Sequence, residues 1–478
     1  MTSMVGEFSA PQTRFHAMAR TATVWLFIAV LAWSPFPLGG AISWGAGLQE
    51  ILVALCWISW VAYSATRRGG SDRSGSRAVI VPLALAVVVL IWACVQMLPG
   101  VPSSWIHPAW SMASDAIGRP VRGAISLNPW RTEAEILKLA SYAMACWLAF
   151  RLARHHETAA ALLNAIIAIT AAYALYAFVL RLTGFSQTEL FYITPLASNF
   201  VLGPFVLHNS FATYSGLGAL AAVVKLFAMG SQSIAAGRGG RQLLLTILQF
   251  CFGRGAFVLV AVLLTFAGVV ASASRAGFAA TMCGVVVLAL ASLLVNQRGS
   301  ARLWAGAGAL VAVLPLLFLI VFSGDTLADR IGQLLDSGVT DSIRTTLWAA
   351  ANRMIADTPL LGLGLGTFQD AYPLYATQVL PYVMDKAHCD YLEFAAGLGL
   401  PAAIAWWSAM AWLVVLCLRG VRVRHRHRLY PVLALGATAL VGVHSSVDFS
   451  LQMPAVALLC ATILGLGTAQ ALPSHNRP

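Results

Sequence analysis

Long apolar runs alternate with polar connectors along almost the whole chain. Each run is roughly 20 residues long, the length that an α-helix needs to cross the hydrocarbon core of a membrane. Because the backbone in lipid must satisfy its own hydrogen bonds, each run is predicted to be helical. We place twelve spans, at approximately 22–42, 46–64, 79–98, 133–150, 158–180, 210–229, 256–273, 276–295, 303–322, 389–418, 431–449 and 454–471.

The pattern therefore predicts an all-α polytopic membrane protein with about twelve transmembrane helices and one large helical loop. Nine spans form a bundle at 1–322, the loop covers 323–388, and three further spans follow at 389–478. Residues 1–21 are polar and basic and lack a signal-peptide pattern, so we expect the first span to be retained.

Composition agrees with a membrane protein. Hydrophobic residues make up 59% of the chain and charged residues 10%, which is unlike an ordinary soluble domain. The net charge of +12 would suit nucleic acid, but the basic residues are concentrated in short connectors, where topology signals lie. The eight cysteines lie mostly in or beside apolar runs and form no CxxC pair. We therefore expect the lipid bilayer as a partner, and no nucleic acid, metal or cofactor.

The distribution of basic connectors also predicts an orientation. They all fall on one face of the bundle, which the positive-inside rule assigns to the cytoplasm together with both termini. The basic connectors are 1–21, 65–78, 151–157, 230–255, 296–302 and 419–430. The opposite face carries the long connectors 99–132, 181–209 and 323–388. Since long loops with their own helical patterns are usually functional, we expect the chemistry on that face.

Arginines on the non-cytoplasmic face oppose the topological preference and need a reason. Arg275 lies in ASASRAGFAA, a tight turn between two spans, where it either reaches lipid headgroups or holds an anion. Arg344 and Trp348 are one turn apart on a predicted helix, which also fits a solvated amphipathic helix. Arg353 is a weaker candidate, because it lies about a quarter-turn off the face of Arg344. The following PLLGLGLGTF lacks the strand and the Lys–Ser/Thr of a phosphate loop, so we expect a glycine turn.

His388 stands where the large loop enters a long apolar helix. The positive end of the helix dipole favours a neutral imidazole, which is the form a general base requires. Asp390 and Glu393 are close enough in sequence to orient the ring, although acids at a helix start commonly serve the dipole alone. The histidine could equally be an interfacial residue with no role.

Two further histidines lie near the ends of spans. His444 and Asp448 are four residues apart near the outer end of the eleventh span, and ionisable groups at such depth are functional candidates. A structural hydrogen bond between them is our preferred interpretation, because other metal ligands are missing. His208 and Asn209 open the sixth span, where they could line a polar entrance or cap the helix, and capping is the simpler explanation.

These motifs together resemble the O-antigen ligase/polymerase superfamily. The stretches RTTLWAAANRMIADTPLLGLGLGTF and AHCDYLEFAAGLGLPA are similar to its large loop, and SASRAGFAA is similar to its short arginine motif. HNSFATYSGLGAL and VHSSVDFSLQMPA resemble motifs of its exopolysaccharide and O-antigen ligase-like subgroup. The similarity covers roughly residues 200–455, and the twelve-span layout agrees with it.

The resemblance implies a GT-C-like, metal-independent, inverting glycosyltransferase of the bacterial inner membrane. Such enzymes transfer a glycan from undecaprenyl diphosphate to an acceptor hydroxyl, such as a glycan or lipid A-core, at the periplasmic face. By this similarity Arg275 and Arg344 would bind the diphosphate, and His388 would activate the acceptor. Cys389 departs from the family, which has a small polar amide there, and HNSF departs from the subgroup, so His208 is assigned no catalytic role.

Several functions remain open at this point. A ligase of lipopolysaccharide or exopolysaccharide biosynthesis is narrowly favoured over a repeat-unit polymerase. A transporter of lipid-linked oligosaccharide would need ionisable groups near the membrane midplane, and the spans contain few charges, chiefly Lys138. A peptidoglycan-type polymerase would need an acidic catalytic group in the large loop, for which there are four candidates: Asp325, Asp329, Asp336 and Asp341.

Overall fold

A computed structural model describes most of the chain, and the secondary structure of the described residues consists of helices without any strand. It covers residues 10–65, 77–191, 200–235, 252–253, 255–294, 338–378, 383–424 and 426–473, with the backbone alone at 10–17, 231–235 and 338–342. The predicted ninth span at 303–322 lies outside the described residues, as do Asp325, Asp329 and Asp336. Asp341 lies where only the backbone is described.

Fifteen α-helices occupy the described residues. They are α1 (Ala10–Trp33), α2 (Ser43–Ala65), α3 (Ile80–Met97), α4 (Ala109–Ile117), α5 (Pro129–Leu152), α6 (His156–Thr183), α7 (His208–Ala235), α8 (Ala256–Ala271), α9 (Arg275–Leu293), α10 (Gly338–Asp357), α11 (Phe368–Tyr375), α12 (Asp390–Leu398), α13 (Leu400–Val423), α14 (Leu429–His444) and α15 (Pro454–Ala471).

Many of these helices have the dimensions of membrane spans. Among the described residues, seven are long and apolar enough to cross a bilayer: α2, α3, α6, α7, α9, α13 and α15. Three shorter apolar helices accompany them: Met18–Trp33, α8 and α14. The prediction of a polytopic all-α membrane protein is therefore confirmed, whereas the total of twelve spans and the GT-C-like class stay predictions.

The predicted tenth span, 389–418, is wrong at its start. A break at Gly399, with φ +80°, separates the short α12 from α13. A Cβ at this position would lie 2.4 Å from the carbonyl oxygen of Leu360, so only glycine fits the turn. Pro401 then occupies the first turn of α13, where its missing N–H costs nothing. Asp390 and Glu393 thus belong to a separate helix outside the membrane-spanning one.

Two other predicted boundaries also move. The first helix ends at Trp33 instead of near residue 42, because two prolines and Gly39, at φ +69°, form a compact turn. The eleventh span ends at His444 rather than near residue 449. Asp448 consequently lies in the loop between α14 and α15, where its carboxylate can turn towards other outer segments.

The centre of the bundle is built on helices with small residues. α15 is buried along almost its whole length and packs on α5, α13 and α14. Gly465 allows this close approach, since a Cβ there would lie 2.2 Å from the carbonyl oxygen of Cys146. Small residues at helix contacts are the usual means of bringing membrane helices together. The peripheral α13 instead exposes large apolar side chains such as Ile404 and Trp412.

The outer segments form a compact cap on one end of the bundle. Leu347, Met354 and Phe368 belong to an apolar cluster that joins α10 and α11 to α12. Gln96, at the end of α3, donates to the carbonyl oxygens of Leu361 and Gly397 at 2.7 and 2.8 Å. The glycine-rich turn is therefore a structural element held against the bundle, as expected.

Candidate active site

The side chain of His388 meets a carboxylate that is distant in sequence. Its Nδ1 lies 3.2 Å from Oδ1 of Asp448, in the loop after α14. The edge of its ring packs on Phe449, with the two ring centres 4.8 Å apart. His388 is partly exposed, with 29% of its side-chain surface accessible, whereas Asp448 retains 3%. The imidazole thus stands between a buried carboxylate and an accessible space.

The electrostatics of Asp448 suit such a pair. Burial acts to raise the pKa of its carboxyl, but the contact with His388 and the charge of His444 outweigh burial and lower the pKa. The carboxylate also accepts a hydrogen bond of 2.9 Å from the backbone N–H of Phe449. Asp448 is therefore held ionised beside the imidazole.

The backbone of His388 is fixed in an uncommon conformation. Its φ is +51°, which non-glycine residues rarely adopt outside turns and functional sites. The indole Nε1 of Trp348, on α10, donates to its carbonyl oxygen at 3.3 Å. On the preceding side, Glu393 accepts a 2.8 Å hydrogen bond from the N–H of Ala387. These two contacts determine where the imidazole projects.

Asp390 contacts a different set of groups from those predicted. Its carboxylate accepts hydrogen bonds from Ser445 Oγ at 2.7 Å, from Gln452 Nε2 at 3.0 Å and from the N–H of Leu451 at 3.3 Å. Its own N–H donates to the carbonyl oxygen of Ser445. Burial raises the pKa of Asp390 to about 7. Asp390 therefore fastens α12 to the loop before α15, and no direct contact with His388 is seen.

Glu393 also serves the backbone rather than the imidazole. Beyond its bond to Ala387, its Oε1 lies 3.4 Å from Nζ of Lys386. Lys386 in turn donates to Gln452, the residue that binds Asp390. Burial alone would lower the pKa of Lys386, but nearby carboxylates, first Glu393, raise it above its ordinary value. Cys389 is the N-cap residue of α12, and its side chain makes no capping hydrogen bond.

His444 lies directly behind the pair. It is fully buried, its Nδ1 is 2.8 Å from Ser450 Oγ, and Ser450 is 3.0 Å from the hydroxyl of Thr213 on α7. Its Nε2 faces Oδ2 of Asp448 across 4.0 Å, which is too long for a hydrogen bond. The direct His444–Asp448 hydrogen bond that we favoured is therefore not formed.

Arg344 brings positive charge to the same place. It lies on α10, half-buried, and its charge acts on the imidazoles of both His444 and His208. Four buried atoms in this group have no hydrogen-bond partner among the described residues: Arg344 Nε, His388 Nδ1, His444 Nε2 and Asp448 Oδ2. Since a buried polar atom without a partner is costly, their grouping indicates a place where a polar ligand fits.

Arg275 begins α9, directly after a turn that contacts His208. Ser274 caps the helix by accepting a 3.0 Å bond from the N–H of Gly277, and Ala273 adopts φ +55° in the preceding turn. His208 Nδ1 lies 2.9 Å from the carbonyl oxygen of Ser272 in the same turn. Arg275 is half-buried at this helix N-terminus, which itself attracts anions.

Arg353 binds the backbone of another outer segment. Its Nε and one terminal nitrogen both donate to the carbonyl oxygen of Tyr375, at 3.1 and 2.7 Å. The hydroxyl of Tyr375 lies 3.2 Å from His107 Nε2, in the first outer loop. Arg353 therefore ties the outer segments together, and no contact with the His388 group is seen.

Sequence reasoning missed two features of the site. It assigned the orienting role to Asp390 and Glu393, the acids nearest His388 in sequence, whereas Asp448 makes the contact. It also preferred a capping role for His208 over a place in a polar entrance, although its ring stacks on Phe200 and lies within reach of the charges of Arg344 and Asp448. The presence of His and Asp at the ends of spans was the available signal in both cases.

Comparison with known proteins identifies a related family. Residues 260–407 match the family model described as O-Antigen ligase, which confirms the resemblance to that superfamily over this part of the chain. Members of the family are glycosyltransferase-like ligases and polymerases. The matched region includes Arg275, Arg344 and His388, whereas Asp448 and His444 lie beyond it. No match was found among curated proteins.

Proposed function

We propose that the protein is an O-antigen ligase-like glycosyltransferase. It transfers a glycan from undecaprenyl diphosphate to an acceptor hydroxyl at the periplasmic face of the bacterial inner membrane, in lipopolysaccharide or exopolysaccharide biosynthesis. The observation that carries the proposal is the grouping of His388, Asp448 and Arg344, contributed by three separate outer segments. The family match over residues 260–407 supports it.

The two arginines would act on the leaving group. Breaking the bond between the sugar and the diphosphate builds negative charge on the phosphate oxygens, and guanidinium groups placed beforehand stabilise that charge. Arg275 adds its charge to a helix N-terminus, and Arg344 has a buried Nε without a partner in the described part of the chain. Displacement from the opposite side of the sugar would invert the configuration at the anomeric carbon.

His388 would take the proton of the attacking hydroxyl. When Nδ1 carries a proton and faces Asp448, the lone pair of the ring lies on Nε2, where it can act as the base. Asp448 is then a positioning residue, which fixes the ring orientation and stabilises the imidazolium that forms. General-base catalysis of this kind contributes roughly 10²–10⁴-fold to a rate.

A transfer assay with purified variants tests the site. We expect His388→Ala to lose on the order of 10²–10⁴-fold in glycan transfer from an undecaprenyl-diphosphate donor, while its elution profile and melting temperature remain those of the parent. Asp115→Ala, an exposed outer residue of α4, is the matched control and should transfer normally. Near-normal transfer by His388→Ala would reject the assignment.

Product analysis separates the ligase from the polymerase. In a strain lacking the protein, long undecaprenyl-linked chains without their final attachment indicate a ligase, and unpolymerised single repeats indicate a polymerase. We favour the ligase. Translocation of lipid-linked glycan by reconstituted vesicles, without formation of a glycosidic bond, would instead indicate a transporter.

A further inference from the structure

An apolar cavity lies inside the bundle, away from the His388 group. It encloses about 140 Å³ between α3, α5, α13 and α15. Its walls run from Leu139 to Phe150 on α5 and from Ala457 to Thr468 on α15. At 1.5 Å per residue this is about 16 Å of helix, roughly half the thickness of a hydrocarbon core. The lining is almost entirely apolar.

This apolar cavity does not share its walls with the candidate active site. Its lining includes no residue of α9, α10 or α14, which carry Arg275, Arg344 and His444. One end reaches Phe394 and Leu451 beneath the outer cap, and the other reaches the beginning of α3. A chain bound here would therefore lie beside the site and not within it.

The cavity opens towards lipid at the end farther from the site. Leu83 lines it and is nevertheless 42% exposed on the outside of the bundle. Leu83 precedes Gln96, which contacts the outer cap, by thirteen residues of α3, or about 20 Å. The opening thus faces the membrane leaflet opposite the one that borders the candidate active site.

Positive charge surrounds this far end. The guanidinium of Arg151 lies 5.8 Å from the ring centre of Trp147, which lines the cavity, and 5.1 Å from that of Trp60. Arg77 is exposed two residues before Val79, another lining residue. Basic residues beside an apolar crevice at the membrane surface are the arrangement that binds anionic lipid headgroups.

We propose that an anionic phospholipid of the leaflet farther from the site binds here. One acyl chain fills the apolar cavity, and the phosphate lies against Arg151 and Arg77. An apolar cavity excludes water, so in a bilayer hydrocarbon is the material that restores the dispersion contacts of its walls. Because α3 ends at the Gln96 clamp and α13 begins at Gly399, the lipid supports the two helices on which the outer cap rests.

Native mass spectrometry of the purified protein tests the headgroup. With phosphatidylglycerol and phosphatidylcholine of identical chains as probes, we expect preferential retention of phosphatidylglycerol. Arg151→Gln should weaken its retention about fivefold, the effect of one basic residue near a lipid headgroup, and Arg151→Lys should retain most of it. Arg181→Gln removes an exposed arginine from the last turn of α6, away from the cavity, and should change nothing. Equal retention of both lipids, or no effect of Arg151→Gln, would overturn the proposal.

Filling the cavity tests the chain. Ala409→Phe, at a buried lining position, should reduce retention of phosphatidylglycerol without any change of charge. If Ala409→Phe does not fold, the smaller change Ala461→Val, at another lining position, tests the same expectation.

Tyr142 also lines the cavity, and its hydroxyl has no partner among the described groups. If Tyr142→Phe releases the lipid while Arg151→Gln does not, the headgroup lies at the site end and our orientation is wrong. These readouts measure lipid binding alone, so they stand or fail independently of glycan transfer.

Discussion

Two buried aspartates beside the candidate active site differ in how fully their carboxylate oxygens are hydrogen-bonded. Both oxygens of Asp390 accept hydrogen bonds, from Ser445, Gln452 and Leu451. Asp448, in the loop between α14 and α15, keeps one oxygen without a partner in the described structure, and that oxygen faces a likewise unpartnered nitrogen of His444. The first network is complete, whereas the second is open.

The difference separates support from chemistry. A polar network whose members are all bonded gives rigidity, because breaking any one bond strands a buried group. A network with free donors and acceptors beside an accessible imidazole can receive those of a ligand instead. We therefore assign the Asp390 network to positioning α12 and the Asp448 group to the substrate. The predictions below compare residues that support the fold with residues of the Asp448 group.

The largest contrast is expected between two arginines of α10. Arg344→Gln should reduce transfer by about 10²–10³-fold, as expected when a group that stabilises developing charge is removed, and Arg344→Lys should recover only part of it. Arg353→Gln loses two bonds to the carbonyl oxygen of Tyr375 and should lower the melting temperature while kcat changes little. Steady-state kinetics and thermal unfolding of the three variants check this. Equal loss of kcat in Arg344→Gln and Arg353→Gln would contradict the assignment of a catalytic role to Arg344 and a structural role to Arg353.

Much of this architecture could be predicted from the sequence, because the membrane imposes simple rules. The length of the apolar runs and the need for internal hydrogen bonding in lipid predicted most of the helices within a few residues. The break at Gly399 was missed because the apolar run is continuous on both sides, and the turn depends on contact with the distant Leu360. A periodicity argument cannot detect a contact of that kind.

The candidate site was predictable only in part for a related reason. Arg275, Arg344 and His388 could be named from motifs, since each lies in a recognisable local pattern. The partner of His388 could not, because nearness in sequence favoured Asp390 and Glu393. The end of α14 at His444, four residues before Asp448, is what turns the carboxylate towards the outer segments. That boundary depends on packing between α12 and the loop before α15.

A smaller contrast is expected between the aspartates themselves. Asp448→Asn removes the charge that orients and stabilises the imidazolium, and we expect about a tenfold or greater loss of kcat with a shifted pH profile. Asp390→Asn keeps a side chain of the same shape and should leave the pH profile of transfer unchanged. The measurement is kcat from pH 5.5 to 9 for both variants. A flat response to Asp448→Asn would mean that the carboxylate only supports the fold.

The smallest effect concerns stability rather than transfer. The folded state holds the proton of Asp390 up to about pH 7, against an ordinary pKa of 3.8. Between these values the folded protein binds more protons than the unfolded chain, so its stability falls as pH rises and levels off above pH 7. Melting temperatures between pH 4.5 and 8.5 should show this decline, and Asp390→Asn should reduce it.

The pH dependence that Asp448 contributes to stability has the opposite sign, because the pKa of Asp448 is lowered in the folded protein. Its contribution is lost as pH falls below the ordinary range of an aspartate, so Asp448→Asn should change the melting temperature only at acid pH. If Asp390→Asn left the decline intact, the raised pKa would have to belong to another buried carboxyl group, and the division between the complete network and the open one would need to be drawn elsewhere.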